Sequence, residues 1–232
     1  MLMDPRKEIT PPQSILTQKD TVKGRVIYLL ILISALHFIY PITIGGHTAA
    51  LILFQVLFVG MIGVGMLIAS DNRVHLVSTG TLGLLWFIFA VIYALDLTNL
   101  WKVLTANVFL FLFVGEVVYL LVLYIFSARK VTRDVLYAAI TVYISLAALF
   151  VPLYSMMERI KPGAFLDNVT GQPIFWQQLT YFSLVTITTA GYGDIVPVSP
   201  WARSLANLEM VVGVLYIAIL MARLVSLYSN EQ

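Results

Sequence analysis

Apolar residues run almost unbroken over six stretches, 26–44, 48–69, 74–95, 103–126, 135–157 and 202–227. Each is long enough for a helix to cross about 30 Å of hydrocarbon, so the pattern predicts six spanning helices. Between the fifth and sixth lies a polar segment, Glu158 to Gln172, and then a shorter amphipathic stretch from Pro173 to Thr188. That stretch is too short and too polar to cross alone and predicts a re-entrant helix. Pro173 suits a first helical turn, where its missing N–H costs nothing, and Gly191 and Gly193 break the helical pattern at the other end.

Composition fixes the class. The chain is 60% hydrophobic and only 11% charged, against about half and about a quarter in soluble domains, which predicts an all-α integral membrane protein in a lipid bilayer. Lys and Arg total 14 against 12 Asp and Glu, a formal charge of +2 with no basic run, so nucleic acid is not an expected partner. With no cysteine and three scattered histidines, the chain has no disulfide, thiolate metal site or thiol nucleophile, and no cofactor is expected.

The positive charges also give an orientation. A cytosolic N-terminus puts Arg73, Arg129, Lys130, Arg133 and Arg223 inside with Arg6, Lys7, Lys19, Lys23 and Arg25, and leaves Lys102, Arg159, Lys161 and Arg203 outside. Ten against four favours both termini in the cytoplasm of a multi-pass plasma-membrane protein, with the re-entrant segment on the external side. Residues 1–25 then read as a cytosolic tail, mixed in charge and lacking the cleavage site of a signal peptide. The sequence stops soon after the sixth span, and no fused soluble ligand-binding domain is expected.

The chemistry lies in Thr186-Ile187-Thr188-Thr189-Ala190-Gly191-Tyr192-Gly193-Asp194. To line a path with consecutive carbonyls, the backbone must alternate between right- and left-handed regions. Glycine enters the left-handed one without penalty, so Gly191 and Gly193 alternate with Ala190 and Tyr192. The segment resembles the potassium-channel filter pattern T-x-x-T-x-G-Y-G-D, and a re-entrant helix before it with a spanning helix after it fits that family. The resemblance covers about residues 133–229. It implies K+ as the permeant ion, held by the carbonyls of Thr189, Ala190, Gly191 and Tyr192 together with the Thr189 hydroxyl. Gly193 would complete the filter, with Thr186, Thr188 and Asp194 as its support. One such segment per chain implies a fourfold homotetramer.

Further expectations follow from the same resemblance. Gly213 falls where the family often has a hinge in the inner helix, although close helix packing explains a membrane glycine equally well. Met210, Val214, Ile217 and Met221 recur at helical spacing and are candidates for the cavity wall. Ala190 stands where valine is most often found. Some members carry an acidic residue at the position of Val185 and a tryptophan at that of Phe182. Neither residue present here can hydrogen-bond to Tyr192 or Asp194, so the cuff around the filter is expected to be less polar.

Six spans with a pore between the last two resemble the voltage-gated layout, dividing the chain into a four-helix domain, 26–126, and a pore domain, 127–229. Val103 to Phe126 contains no Lys or Arg, so ordinary voltage sensing is not expected. Glu116 in the fourth span and Glu209 in the sixth are intramembrane carboxylates, costly enough to be functional candidates. Glu209 lies eight residues after Trp201, about 12 Å down the sixth span. Either it faces the cavity, or it pairs as a neutral donor with Ser183, Thr186 or Thr188 of the re-entrant helix; its offset from the Met210 stripe favours the second. The function expected is passive, K+-selective conduction, with no enzymatic activity. The alternatives are a weakly selective cation channel, a potassium transporter or a non-conducting regulatory subunit.

Overall fold

The computed structural model describes residues 24–39, 42, 48–95, 99–172 and 174–229. Six helices follow the predicted stretches: α1 Val26–Phe38, α2 Thr48–Ala69, α3 Arg73–Leu95, α4 Leu100–Ser127, α5 Arg133–Ile160 and, last in the chain, α7 Pro200–Ser229. Between α5 and α7 come strand β1 Phe165–Asp167, helix α6 Trp176–Ile187 and strand β2 Ile195–Pro197. The helix starts are fixed by local chemistry. Asn99 accepts from the Trp101 amide at 3.1 Å and Thr132 from the Val135 amide at 3.3 Å, each satisfying an N–H that the first turn leaves unpaired.

Among the described residues, five helices, α2, α3, α4, α5 and α7, are long and apolar enough to cross a membrane. The first predicted span is shorter than expected: α1 has 13 residues, about 20 Å of helix, and residues 40, 41 and 43–47 lie outside the described ones. So do most of the expected tail, residues 1–23, and Pro173. Two three-residue strands also modify the all-α expectation, pairing antiparallel with Phe165 opposite Pro197 and Asp167 opposite Ile195.

Helices α1 to α4 pack in sequence, and α1 and α4 both lie against α5, so the four-helix part is built onto the outer helix of its own chain. Between α2 and α3 the contact depends on small residues, because in lipid close approach rather than the hydrophobic effect holds helices together. A Cβ at Gly83 would come within 2.8 Å of Ile62, and one at Gly80 within 3.2 Å of Met66. A second bond between the two halves is aromatic: the rings of Phe54 on α2 and Trp176 at the start of α6 meet edge-on with centroids 4.9 Å apart.

The ends of the bundle are tied by polar contacts. At one end Arg25 donates to the Leu67 carbonyl at 2.6 Å, the Gly24 amide to Asp134 at 3.1 Å, and Arg223 to the carbonyls of Phe126 and Ala128, both at 2.8 Å. At the other, Arg159 donates to the Tyr93 hydroxyl and Arg203 to the Pro197 carbonyl. This segregation matches the charge count, with Arg25, Arg73, Arg129, Lys130, Arg133 and Arg223 at the first end. Because the chain has no cysteine, it can be checked with single replacements. Lys130→Cys and Lys161→Cys, in vesicles of uniform orientation, should react with an impermeant thiol reagent from opposite faces. Labelling of both from one face would contradict the arrangement.

Candidate functional site

Helix α6 ends at Ile187, and the chain then passes through Thr188 to Gly193, all exposed in the isolated subunit. Positive φ recurs at every second residue: Thr189 at 58°, Gly191 at 55° and Gly193 at 79°. The alternation expected for Gly191 and Gly193 is present, and it extends one step further than the sequence reading took it. Thr189 is the only non-glycine with positive φ among the described residues, and a β-branched residue there is a genuine outlier. Stepping back by two from Gly193 and Gly191 lands on it, a signal that was available in the sequence.

The amides of this segment turn back toward the helix. Thr189 N–H donates to Thr186 at 2.9 Å, and those of Ala190 and Gly191 to Val185 at 3.0 and 3.4 Å. The carbonyls of Thr189, Ala190, Gly191 and Tyr192 accept no hydrogen bond among the described residues. A row of free carbonyls, with the negative end of the α6 dipole behind it, is suited to a cation stripped of water. The Tyr192 side chain is 72% exposed.

The support around this row is more polar than expected. The side chains of Phe182 and Val185 contribute no polar contact, but Tyr181 donates its hydroxyl to the Asp194 carboxylate at 2.6 Å. From the loop before α6, the Asn168 amide nitrogen donates to the Gly193 carbonyl at 2.9 Å. Neither residue was expected at the filter. Tyr181 is one position from Phe182, and Asn168 is brought in by the β1–β2 pairing, which has no local signature. Thr188 turns its hydroxyl back to the Leu184 carbonyl at 2.7 Å, and Thr186 is buried.

Asp167, buried at the end of β1, accepts from the amides of Val169 and Thr170 and from the Gln178 side chain, each at 2.9 Å. Hydrogen bonds from the Thr170 amide and hydroxyl, then from Val169 and Gln178, hold its carboxyl below the usual carboxylate range. A lowered value means that the loop gains from the ionised form above the ordinary pKa and loses that gain only as pH falls through the lowered one.

Beneath the segment, Glu209 on α7 is fully buried. The Tyr154 hydroxyl of α5 donates to one of its oxygens and Ser183 of α6 touches the other. Of the three partners considered from sequence, Ser183 is the one in contact, and Tyr154 was missed. Ser183 also lies 2.7 Å from the Ala147 carbonyl. Glu116 is partnered as well, by Ser78 and His75, both at 2.8 Å. Gly213 sits where α7 crosses the end of α6: a Cβ there would be 2.5 Å from the Ile187 carbonyl oxygen, which also accepts from Tyr143 at 3.2 Å. Helix α7 runs unbroken through it. Val214, Ile217 and Met221 are exposed in the single subunit and Met210 is half-buried, but Leu208, Val211 and Leu215 are exposed as well, so exposure does not single out a cavity wall.

Residues 131–230 match a family model described as an ion channel. A stretch of 81 residues is 32% identical to the inward rectifier potassium channel Kirbac3.1 of Paramagnetospirillum magnetotacticum, covering 33% of this chain and 24% of that protein. The chain thus aligns with about a quarter of the length of this relative. No solved structure matches the chain significantly. Residues 131–230, which carry most of α5–α7 and the carbonyl row, are therefore similar to an ion channel domain.

Proposed function

We propose that four copies of this chain close around Thr189–Gly193 and conduct K+ passively and selectively across the plasma membrane. The carrying observation is the alternation of positive φ at Thr189, Gly191 and Gly193, which a turn would not need and a wall of inward carbonyls does. One chain supplies one quarter of each oxygen ring, and the exposed filter and Tyr192 are completed by neighbouring copies. K+ is the ligand of the rings formed by Thr189, Ala190, Gly191 and Tyr192. In the assembled pore Met210, Val214, Ile217 and Met221 line the cavity, and Gly213 serves as the hinge as well as the close contact with α6.

The filter lies at the external end and both termini in the cytoplasm, a reading supported by the distribution of Lys and Arg. Residues 26–126 form a domain whose fourth span has no cationic residue after Lys102 of its first turn, so it does not sense voltage in the ordinary way.

Glu209 acts as a neutral tie between the inner helix and the filter support. Its two contacts and the Ser183–Ala147 contact make three hydrogen bonds, whereas Tyr154 and Ser183 bring two hydroxyl protons between them. The third comes from the carboxyl.

Reconstituted alone, the protein should give reversal potentials that follow the K+ gradient and ignore Na+. Equal permeability to the two ions would instead make it a weakly selective cation channel, and absence of current a regulatory subunit. For Glu209, replacement by Gln keeps the hydrogen bonds and should leave single-channel conductance at low K+ within about twofold. Glu209→Ala strands the buried Tyr154 hydroxyl at about 1–3 kcal/mol and should lower the thermal midpoint of the purified protein. A large fall in low-K+ conductance with Gln would place the carboxylate in the pore and remove the structural role.

A further inference from the structure

The pairing of β1 with β2 joins the chain just before α6 to the chain just after the filter, with Asp167 opposite Ile195. That register carries Asn168 alongside the filter's outer end. Its backbone N–H donates to the Asp194 carbonyl at 2.7 Å and its side-chain amide to the Gly193 carbonyl at 2.9 Å. One residue therefore grips two consecutive peptide carbonyls.

The two gripped positions differ in how else they are held. Asp194 has the Tyr181 hydroxyl on one carboxylate oxygen and the Ile195 amide at 2.9 Å on the other. Among the described residues, the Gly193 carbonyl is held by Asn168 alone. Gly193 has positive φ, lacks a side chain and follows the exposed Tyr192, so no side-chain packing of its own restrains its peptide plane. A single donor at that point decides the direction of the carbonyl.

Asn168 is itself anchored. Asp167 closes the turn that follows it by accepting from Val169 and Thr170, and the same carboxylate reaches the first turn of α6 through Gln178. Gln178 in turn accepts from the Phe175 amide at 2.9 Å. The donor is thus referenced to the rigid pore-side helix rather than to a free loop.

We propose that Asn168 is a positioning residue for the ion path, acting through the Gly193 carbonyl to keep the outer end of the filter in its conducting shape. The proposal rests on reading Thr189–Gly193 as an ion filter. Asn168→Leu preserves size and removes the donor; Asn168→Gln retains an amide. Loss of one hydrogen bond to a neutral carbonyl corresponds to about two- to tenfold in an equilibrium. With full-length protein in vesicles under a K+ gradient, currents through the Leu variant should decay about two- to tenfold faster during sustained opening. Raised external K+, which refills the outer site, should slow that decay, and the Gln variant should decay at a rate close to that of the unaltered protein.

Unchanged decay in the Leu variant at both K+ concentrations would overturn the proposal, as would equal acceleration by Leu and Gln. Absence of K+ current in the unaltered protein would instead overturn the filter reading beneath it. Should the Leu variant fail to assemble, the unaltered protein still tests the point. The Asn168 side-chain amide protons should exchange with D2O more slowly than those of the other exposed asparagines, and exchange at the same rate would overturn the assignment.

Discussion

The segment after α6 is a backbone that must be held where it would not go by itself. Thr189 takes a left-handed conformation, which costs a residue with a side chain about 1–3 kcal/mol. Opposing that cost are three amide hydrogen bonds from Thr189, Ala190 and Gly191 into the last turn of α6, each contributing about 1 kcal/mol net. The same bonds leave the carbonyls free. Strain and the free row are thus two consequences of one arrangement: amides turned inward to the helix and oxygens left unpaired.

The elements around α6 keep it from moving away from that arrangement. On its inner side, Glu209 spans to α5 and α6 through Tyr154 and Ser183, and Gly213 lets α7 approach the Ile187 carbonyl more closely than a side chain would permit. On its outer side, Tyr181 holds Asp194, and the β1–β2 pair brings Asn168 to Gly193. Polar groups are costly in a hydrocarbon setting unless paired. Glu209 and Glu116 are each given hydroxyl or imidazole partners, while Arg25 and Arg223 find carbonyl oxygens near helix ends.

The long helices were legible because hydrophobic length alone sets them: α2 coincides with residues 48–69, and α3, α4, α5 and α7 each differ from the predicted stretch by a few residues at their ends. The end of α1 was passed over because the stretch 26–44 was read by apolar length alone, although Pro41 lies three residues beyond Phe38. The glycine alternation was readable because glycine's freedom is intrinsic to the residue. Thr189 was passed over because its branched side chain argues against the conformation it adopts. Tyr154, Tyr181 and Asn168 depend on which segments the fold brings together, and three-residue strands such as β1 and β2 leave no period to detect. Ser183 was accessible from helical depth alone, which placed Glu209 at its level.

The central claim is that the strained segment becomes an ion path when four copies meet on one axis. The most direct measurement is a structure of the purified protein in Tl+, a dense substitute for K+, with the cation located by its anomalous scattering. The account predicts a fourfold assembly with a row of Tl+ on its axis, level with the carbonyls of Thr189, Ala190, Gly191 and Tyr192. An assembly of other symmetry, or a fourfold one with no cation at that level, would contradict it.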